Sequence, residues 1–222
     1  MGKDRDTMII LFDLDGTLID STEAILESFH HSCSVHNYPQ PNDEEIKALI
    51  GYPLDIMFEG VGVGRDKVWD FVATYKENYR KISTQKTVLL ENAKDAVLEA
   101  SKFAELGIVT TKTAEYSKIL MEYFGLMQYF KVLIGREDVE HPKPHAEPIL
   151  KALEFFEREN KEIWMLGDTK LDLLSAQSAG VNSIAVLSGY DSLAVLEKYT
   201  NVIFRDALEA VEHLRDRKIS HT

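Results

Sequence analysis

Two aspartates close an apolar run. Met8 to Phe12 reads MIILF, and the chain continues Asp13-Leu14-Asp15-Gly16-Thr17. On extended backbone, residues i and i+2 point the same way. Both carboxylates then leave the strand together at its carboxyl end, where open α/β sheets bind ligands. A plainer reading, with Asp13 capping a turn and Asp15-Gly16 forming one, is equally compatible with this stretch alone. Two further stretches repeat the arrangement, and a third places a lysine in a loop. In GIVTTKT an apolar run ends in Thr110 and Thr111. Threonine there caps a helix, or donates to a phosphate oxygen beside free backbone amides. In EHPKPHAEP, Lys143 stands between two prolines, which restrict the backbone and aim the side chain. Most loop lysines are solvated, but a positioned ammonium is what a phosphoryl site needs. In WMLGDTKLD, Asp168 ends another apolar run and Asp172 follows. These two also read as a helix cap and a solvated first-turn acid.

Asp13, Asp15 and Asp168 cannot all stay charged at close quarters without a cation. Oxygen ligands alone select a hard divalent ion, and Mg²⁺ is the usual one beside phosphates.

The elements that must position these residues are strands and helices in alternation. Met8–Phe12, Leu106–Val109, Val132–Ile134, Ile163–Leu166 and Ser183–Leu187 read as buried strands, with Val202–Phe204 weaker. Helical patterns fall at Glu115–Phe124, Ala146–Glu157, Leu171–Ala179, Leu193–Tyr199 and Ala207–Arg217. This order predicts an α/β fold, a Rossmann-like parallel sheet with helices on both faces. From Ser21 to Ser83 no strand is expected. Helices are predicted at Ala24–His36, Glu44–Ile50, Leu54–Phe58 and Lys67–Arg80. This insert of ~60 residues is longer than an ordinary connection. It predicts a helical cap domain over 20–83, on a core formed by 1–19 and 84–222.

Composition narrows the function classes. The formal net charge is −12, which disfavours nucleic-acid and anionic-membrane partners. No apolar run approaches the ~20 residues of a membrane span, and MGKDRDTM carries no signal-peptide core. Cys33 is the sole cysteine, so no intrachain disulfide forms, and a cytoplasmic setting is expected. The seven histidines show no metal-ligand spacing, and Trp69 and Trp164 read as packing residues.

In order and spacing, DLDGT, VTTK, HPKP and GDTKLD resemble the four motifs of the haloacid dehalogenase-like hydrolase superfamily. The similarity runs from Met8 to about Leu214, and the insert resembles that superfamily's type-one cap. FDLDGTLIDS, GIVTTK and KPHAEPILKALE look most like phosphoglycolate phosphatases and the related pyrophosphatases. There are departures: LLENAKDAV lacks the Pro-Gly pair often found there, and Thr111 replaces a common Asn.

The resemblance implies a phosphohydrolase in which Asp13 is the nucleophile and forms an aspartyl-phosphate. Asp15 would protonate the leaving oxygen and then activate water. Thr110 would donate to the phosphoryl group, and Lys143 would offset charge. Mg²⁺ would be held by Asp13, the backbone carbonyl of Asp15 and Asp168, with Asp172 in support. Substrate contacts are expected from Thr110, Thr111, Lys143 and Gly51, the last in the LIGYPLD turn, whose amides are placed to meet an anionic group. The expected partner is a small phosphorylated metabolite, and the expected assembly a monomer or homodimer. Alternatives within the superfamily are an inorganic pyrophosphatase and a sugar-phosphate phosphatase or mutase. A non-catalytic binding module is the alternative from another class. A dehalogenase would not need Asp15.

Overall fold

The computed structural model describes residues 8–220. β1 (Met8–Phe12) is followed by a two-residue strand β2 (Ile19–Asp20) and four helices: α1 (Thr22–Val35), α2 (Asp43–Lys47), α3 (Leu54–Gly60) and α4 (Val68–Ile82). A second two-residue strand, β3 (Val88–Leu89), precedes α5 (Ala93–Ala100). The chain then alternates through β4 (Glu105–Val109), α6 (Ala114–Tyr123), β5 (Phe130–Ile134), α7 (Glu147–Leu153), β6 (Glu162–Gly167) and α8 (Lys170–Ala179). It ends with β7 (Asn182–Val186), α9 (Leu193–Leu196), β8 (Ile203–Phe204) and α10 (Ala207–Ser220).

Six strands form one sheet in the order β5-β4-β1-β6-β7-β8, and every pairing in it is parallel. β1 shows why. All five of its residues are buried, and they alternate between two cores. Met8, Ile10 and Phe12 pack with Ala96, Val97, Leu120 and Val211 of the helices on one face. Ile9 and Leu11 pack with Ile149, Leu153 and Ala176 on the other. A strand covered on both faces reads as a continuous apolar run, and burying each such side chain contributes ~1.5–3 kcal/mol. The chain runs outward from β1 through β4 and β5, then returns to β6 on the other side. β1 with its two neighbours is therefore the switch point where such sheets bind ligands.

Between β1 and β4 lies the helical insert, which has a core of its own. Phe29, Phe58, Phe71 and Tyr75 lie at its centre, and the Phe29 and Phe58 rings stack at 4.0 Å. The chain enters through β2 and leaves through β3, and these pair antiparallel, Ile19 with Leu89 and Asp20 with Val88.

The structure differs from the sequence expectations in detail. α7 stops at Leu153 instead of Glu157, and α9 at Leu196 instead of Tyr199. α2 ends at Lys47, because Leu49 and Ile50 already turn back on Ile46 and Lys47. Helix α5 was not among the expected elements. Trp69 is not a packing residue: it is 62% exposed on α4. Its α4 neighbours Val68, Phe71, Val72 and Tyr75 occupy the buried face instead. Trp164 is buried as expected. Among the described residues, no helix is long and apolar enough to cross a membrane.

Candidate active site

The sheet brings the expected residues to one rim. The Asp13 amide donates to the Leu166 carbonyl at 2.9 Å, extending the β1–β6 ladder by one residue. The Thr110 amide does the same towards Ile134 at 3.0 Å. Asp13, Thr110, Lys143, Asp168 and Asp172 are all buried.

Lys143 is the only cation in contact with this group among the described residues. Its Nζ lies 2.9 Å from Asp13 Oδ1 and 2.5 Å from Asp172 Oδ1, and donates to the Val109 carbonyl at 3.1 Å. Burial alone would depress the ammonium, but the two carboxylates hold its pKa above the usual lysine value. Asp172 closes a capping box with Thr169, accepting from its amide at 3.0 Å and its hydroxyl at 2.7 Å. Asp172 is thus a fully buried acid that anchors both a helix start and Lys143. Asp168 accepts from the Tyr190 amide at 2.8 Å and from Thr17 Oγ1 at 3.2 Å. Gly16 leaves room for it. With φ +83°, a Cβ at Gly16 would stand 2.2 Å from Asp168 Oδ2.

Charge does not balance here. Oxygens of Asp13, Asp168 and Asp172 lie within 4.8 Å of one another, against one lysine. Desolvation, then the repulsion of Asp172, pushes Asp13 up to about 7 despite Lys143. Burial, then Asp13, raises Asp168 well above the carboxylate range. A buried all-oxygen trio facing a single ammonium fits a hard divalent cation.

Asp15 stands apart from that trio. Its Oδ2 lies 3.0 Å from Lys112 Nζ, and its Oδ1 accepts from Ser21 Oγ. Any metal role for Asp15 is therefore confined to its backbone carbonyl. Lys112 is the residue that sequence reasoning missed. A lysine after two threonines reads as solvated, yet here it lies 4.6 Å over the Tyr79 ring. Attraction to Asp15 keeps its pKa high against desolvation. The signal available was its place on the same strand-end loop as Thr110.

Thr110 Oγ1 accepts from the Lys112 amide at 3.1 Å, leaving its proton free to donate. The Thr111 hydroxyl is not turned to that rim. It donates to the Gly51 carbonyl at 2.8 Å and ties the insert to β4. Gly51, at φ +105°, rests against Thr169 and Leu171. Its turn is not an open amide nest, since the Ile50 and Tyr52 amides donate to Lys47 and Leu49.

The histidine expectation also needs correction. His141, His145 and Glu147 approach within ligand-sharing distance at the surface. Glu147 is already engaged by the Glu140 and His141 amides, at 2.8 and 2.9 Å. Those bonds hold its carboxyl down at about 2, so it serves the turn that carries Lys143.

The site is thus a parallel sheet whose switch point carries an acidic trio and a buried lysine. The sequence profile of the haloacid dehalogenase-like hydrolases matches residues 10–186, and the chain belongs to that family. It is 37% identical over 193 residues to pyrophosphatase PpaX of Anoxybacillus flavithermus, covering 85% of this chain and 88% of the relative. It is 34% identical over 191 residues to pyrophosphatase PpaX of Bacillus mycoides, covering 86% and 88%. Among solved structures, a haloacid dehalogenase-like hydrolase from Streptococcus pneumoniae superposes with TM-score 0.83 at 27% identity, covering 93% of this chain and 98% of the other. A predicted phosphoglycolate phosphatase from Haemophilus somnus shares the fold, with TM-score 0.84 at 23% identity over 96% of this chain and all (100%) of that one.

Proposed function

We propose that this chain is a Mg²⁺-dependent phosphohydrolase that cleaves a small phosphate ester through an aspartyl-phosphate on Asp13. The observation that carries the reading is the buried Asp13 carboxylate, paired with Lys143 and gathered with Asp168 and Asp172. Family membership supports the reaction class, and fold alone would not.

Each residue then has a task. Asp13 attacks phosphorus, and the ester oxygen leaves. Asp15, fixed by Lys112 and Ser21, gives that oxygen a proton and later takes one from the hydrolytic water. Thr110 donates its free proton to a phosphoryl oxygen. Lys143 offsets charge on nucleophile and phosphate at short range, where positioning and neutralisation do most of the catalysis. Mg²⁺ would be held by Asp13, the Asp15 carbonyl and Asp168, with Asp172 behind them through Lys143. Bound there, it supplies charge neutralisation for the phosphoryl oxygens.

Residues 20–83 act as a cap on the core formed by 1–19 and 84–222. The separate aromatic core of the insert supports this division.

The relatives' name favours a second reading, hydrolysis of inorganic pyrophosphate. A panel of phosphate esters and pyrophosphate, assayed with Mg²⁺, tests both. Turnover of the panel that Asp13→Asn abolishes is the expected result. Wild-type inertness towards every member would overturn the assignment.

A further inference from the structure

A cavity of about 250 Å³ opens from Asp15 between the insert and the core. It has room for roughly eight waters, more than one inorganic phosphate occupies. Five rings, Tyr52, Trp69, Tyr75, Tyr79 and Tyr116, line it together with aliphatic residues such as Ile25, Leu54 and Met57. Trp69 is among the most exposed large hydrophobic residues described, so packing within the insert does not account for it. The Tyr79 hydroxyl is buried beside Lys112, and its own proton donates to no described group. Of the cations in the wall, Lys112 is already paired with Asp15. Arg136 donates to the Val139 carbonyl, and Glu137 beside it accepts from the Ala114 and Glu115 amides.

Taking phosphohydrolase activity as given, we infer that the leaving group carries an aromatic ring and stacks in this cavity against Trp69. A compact anion suits these walls poorly. The leaving phosphate of pyrophosphate is multiply charged, and burying it against walls that are mainly apolar is costly. A flat ring gains from both faces of such a chamber. The Tyr79 hydroxyl proton offers one hydrogen bond to a polar ring substituent.

The test compares kcat/KM for phenyl phosphate and a pyrimidine nucleoside 5′-monophosphate with that for phosphoglycolate and pyrophosphate. A preference of at least tenfold for a ring-bearing ester is expected. Trp69→Ala should shrink that preference by roughly five- to a hundredfold, the range that stacking of one ring supports. Tyr79→Phe should weaken the nucleotide but spare phenyl phosphate. Calorimetric binding to Asp13→Asn with Mg²⁺ reads the same preference without turnover, so failure of the reaction and failure of ring recognition are distinguishable. Equal or better binding and turnover of the compact anions, or a Trp69→Ala variant with the preference intact, would overturn the inference.

Discussion

Lys112 Nζ lies 3.0 Å from Asp15 Oδ2, and both side chains are largely shielded from solvent. Ser21 holds the other carboxylate oxygen. The two donors come from different parts of the chain, one just after β4 and one at the start of the insert. Asp15 is therefore oriented only when insert and core are docked. Asp15→Asn should lower kcat by about 10²–10⁴-fold, the usual contribution of general acid–base catalysis. With 4-nitrophenyl phosphate, whose leaving group needs little protonation, the same variant should give a burst of nitrophenolate and then stall as phosphoenzyme. Lys112→Met should reproduce a weaker version, about tenfold in kcat. A linear time course with no burst would remove Asp15 from the hydrolytic half-reaction.

Asp13 links metal-free stability to pH. Its folded pKa is raised, to about 7 from 3.8, so the folded state binds the proton more tightly than the unfolded chain. The stability it contributes is full below about 3.8 and is lost as pH rises through about 7. Asp13→Asn cannot ionise and should escape that loss. Without metal, its Tm advantage over the wild type should therefore be larger at pH 8.5 than at pH 5.5. Thermal unfolding in EDTA at the two values measures it, and a constant difference would show that Asp13 does not titrate in this range.

Lys143 bridges two buried carboxylates, so its removal leaves both without a cation. Lys143→Met should cost about 3–5 kcal/mol, as breaking buried pairs does. Asp172→Asn should also destabilise, because it disturbs the Thr169 cap as well as the lysine. The double variant should lose less than the sum, as neighbours that share one interaction do. Urea unfolding of the four proteins closes the cycle, and simple additivity would mean that the 2.5 Å contact contributes nothing.

Metal binding should be visible in stability as well as in rate. With Mg²⁺ at a hundredfold over its Kd, stabilisation is about 2.7 kcal/mol. For a chain of this size that is a Tm rise of about 5–10 °C. Asp168→Asn should abolish most of the rise. Full activity after stripping with EDTA would refute the metal requirement.

The sheet was legible because its strands are buried on both faces, and Met8–Phe12 has no polar residue to confuse the pattern. Asp13, Thr110, Lys143 and Asp168 were legible because each follows a buried run or sits beside a restraining proline. Other features left no local signal. β2 and β3 are two residues each, too short for a period to show. Helix α5 is short and buries Ala93, Ala96, Val97 and Ala100, mostly alanines that give little apolar contrast. Lys112 and Tyr79 lie 33 positions apart, and only docking of α4 on the core brings them together. Trp69 misled because a tryptophan on an amphipathic helix is normally interior, whereas this one sits at the mouth of a cavity.

The ribbon of β2 and β3 has a consequence for how this chain can diverge. Ile19 pairs with Leu89 and Asp20 with Val88, so the sheet meets everything between them as a loop whose ends are already joined. Closure entropy grows only slowly with length, about 0.6 kcal/mol for each doubling. Whole helices can therefore be gained, lost or exchanged on the far side of that ribbon at little cost to the fold. The sheet that carries Asp13 and Asp168 stays fixed while the helices beyond the ribbon are free to vary.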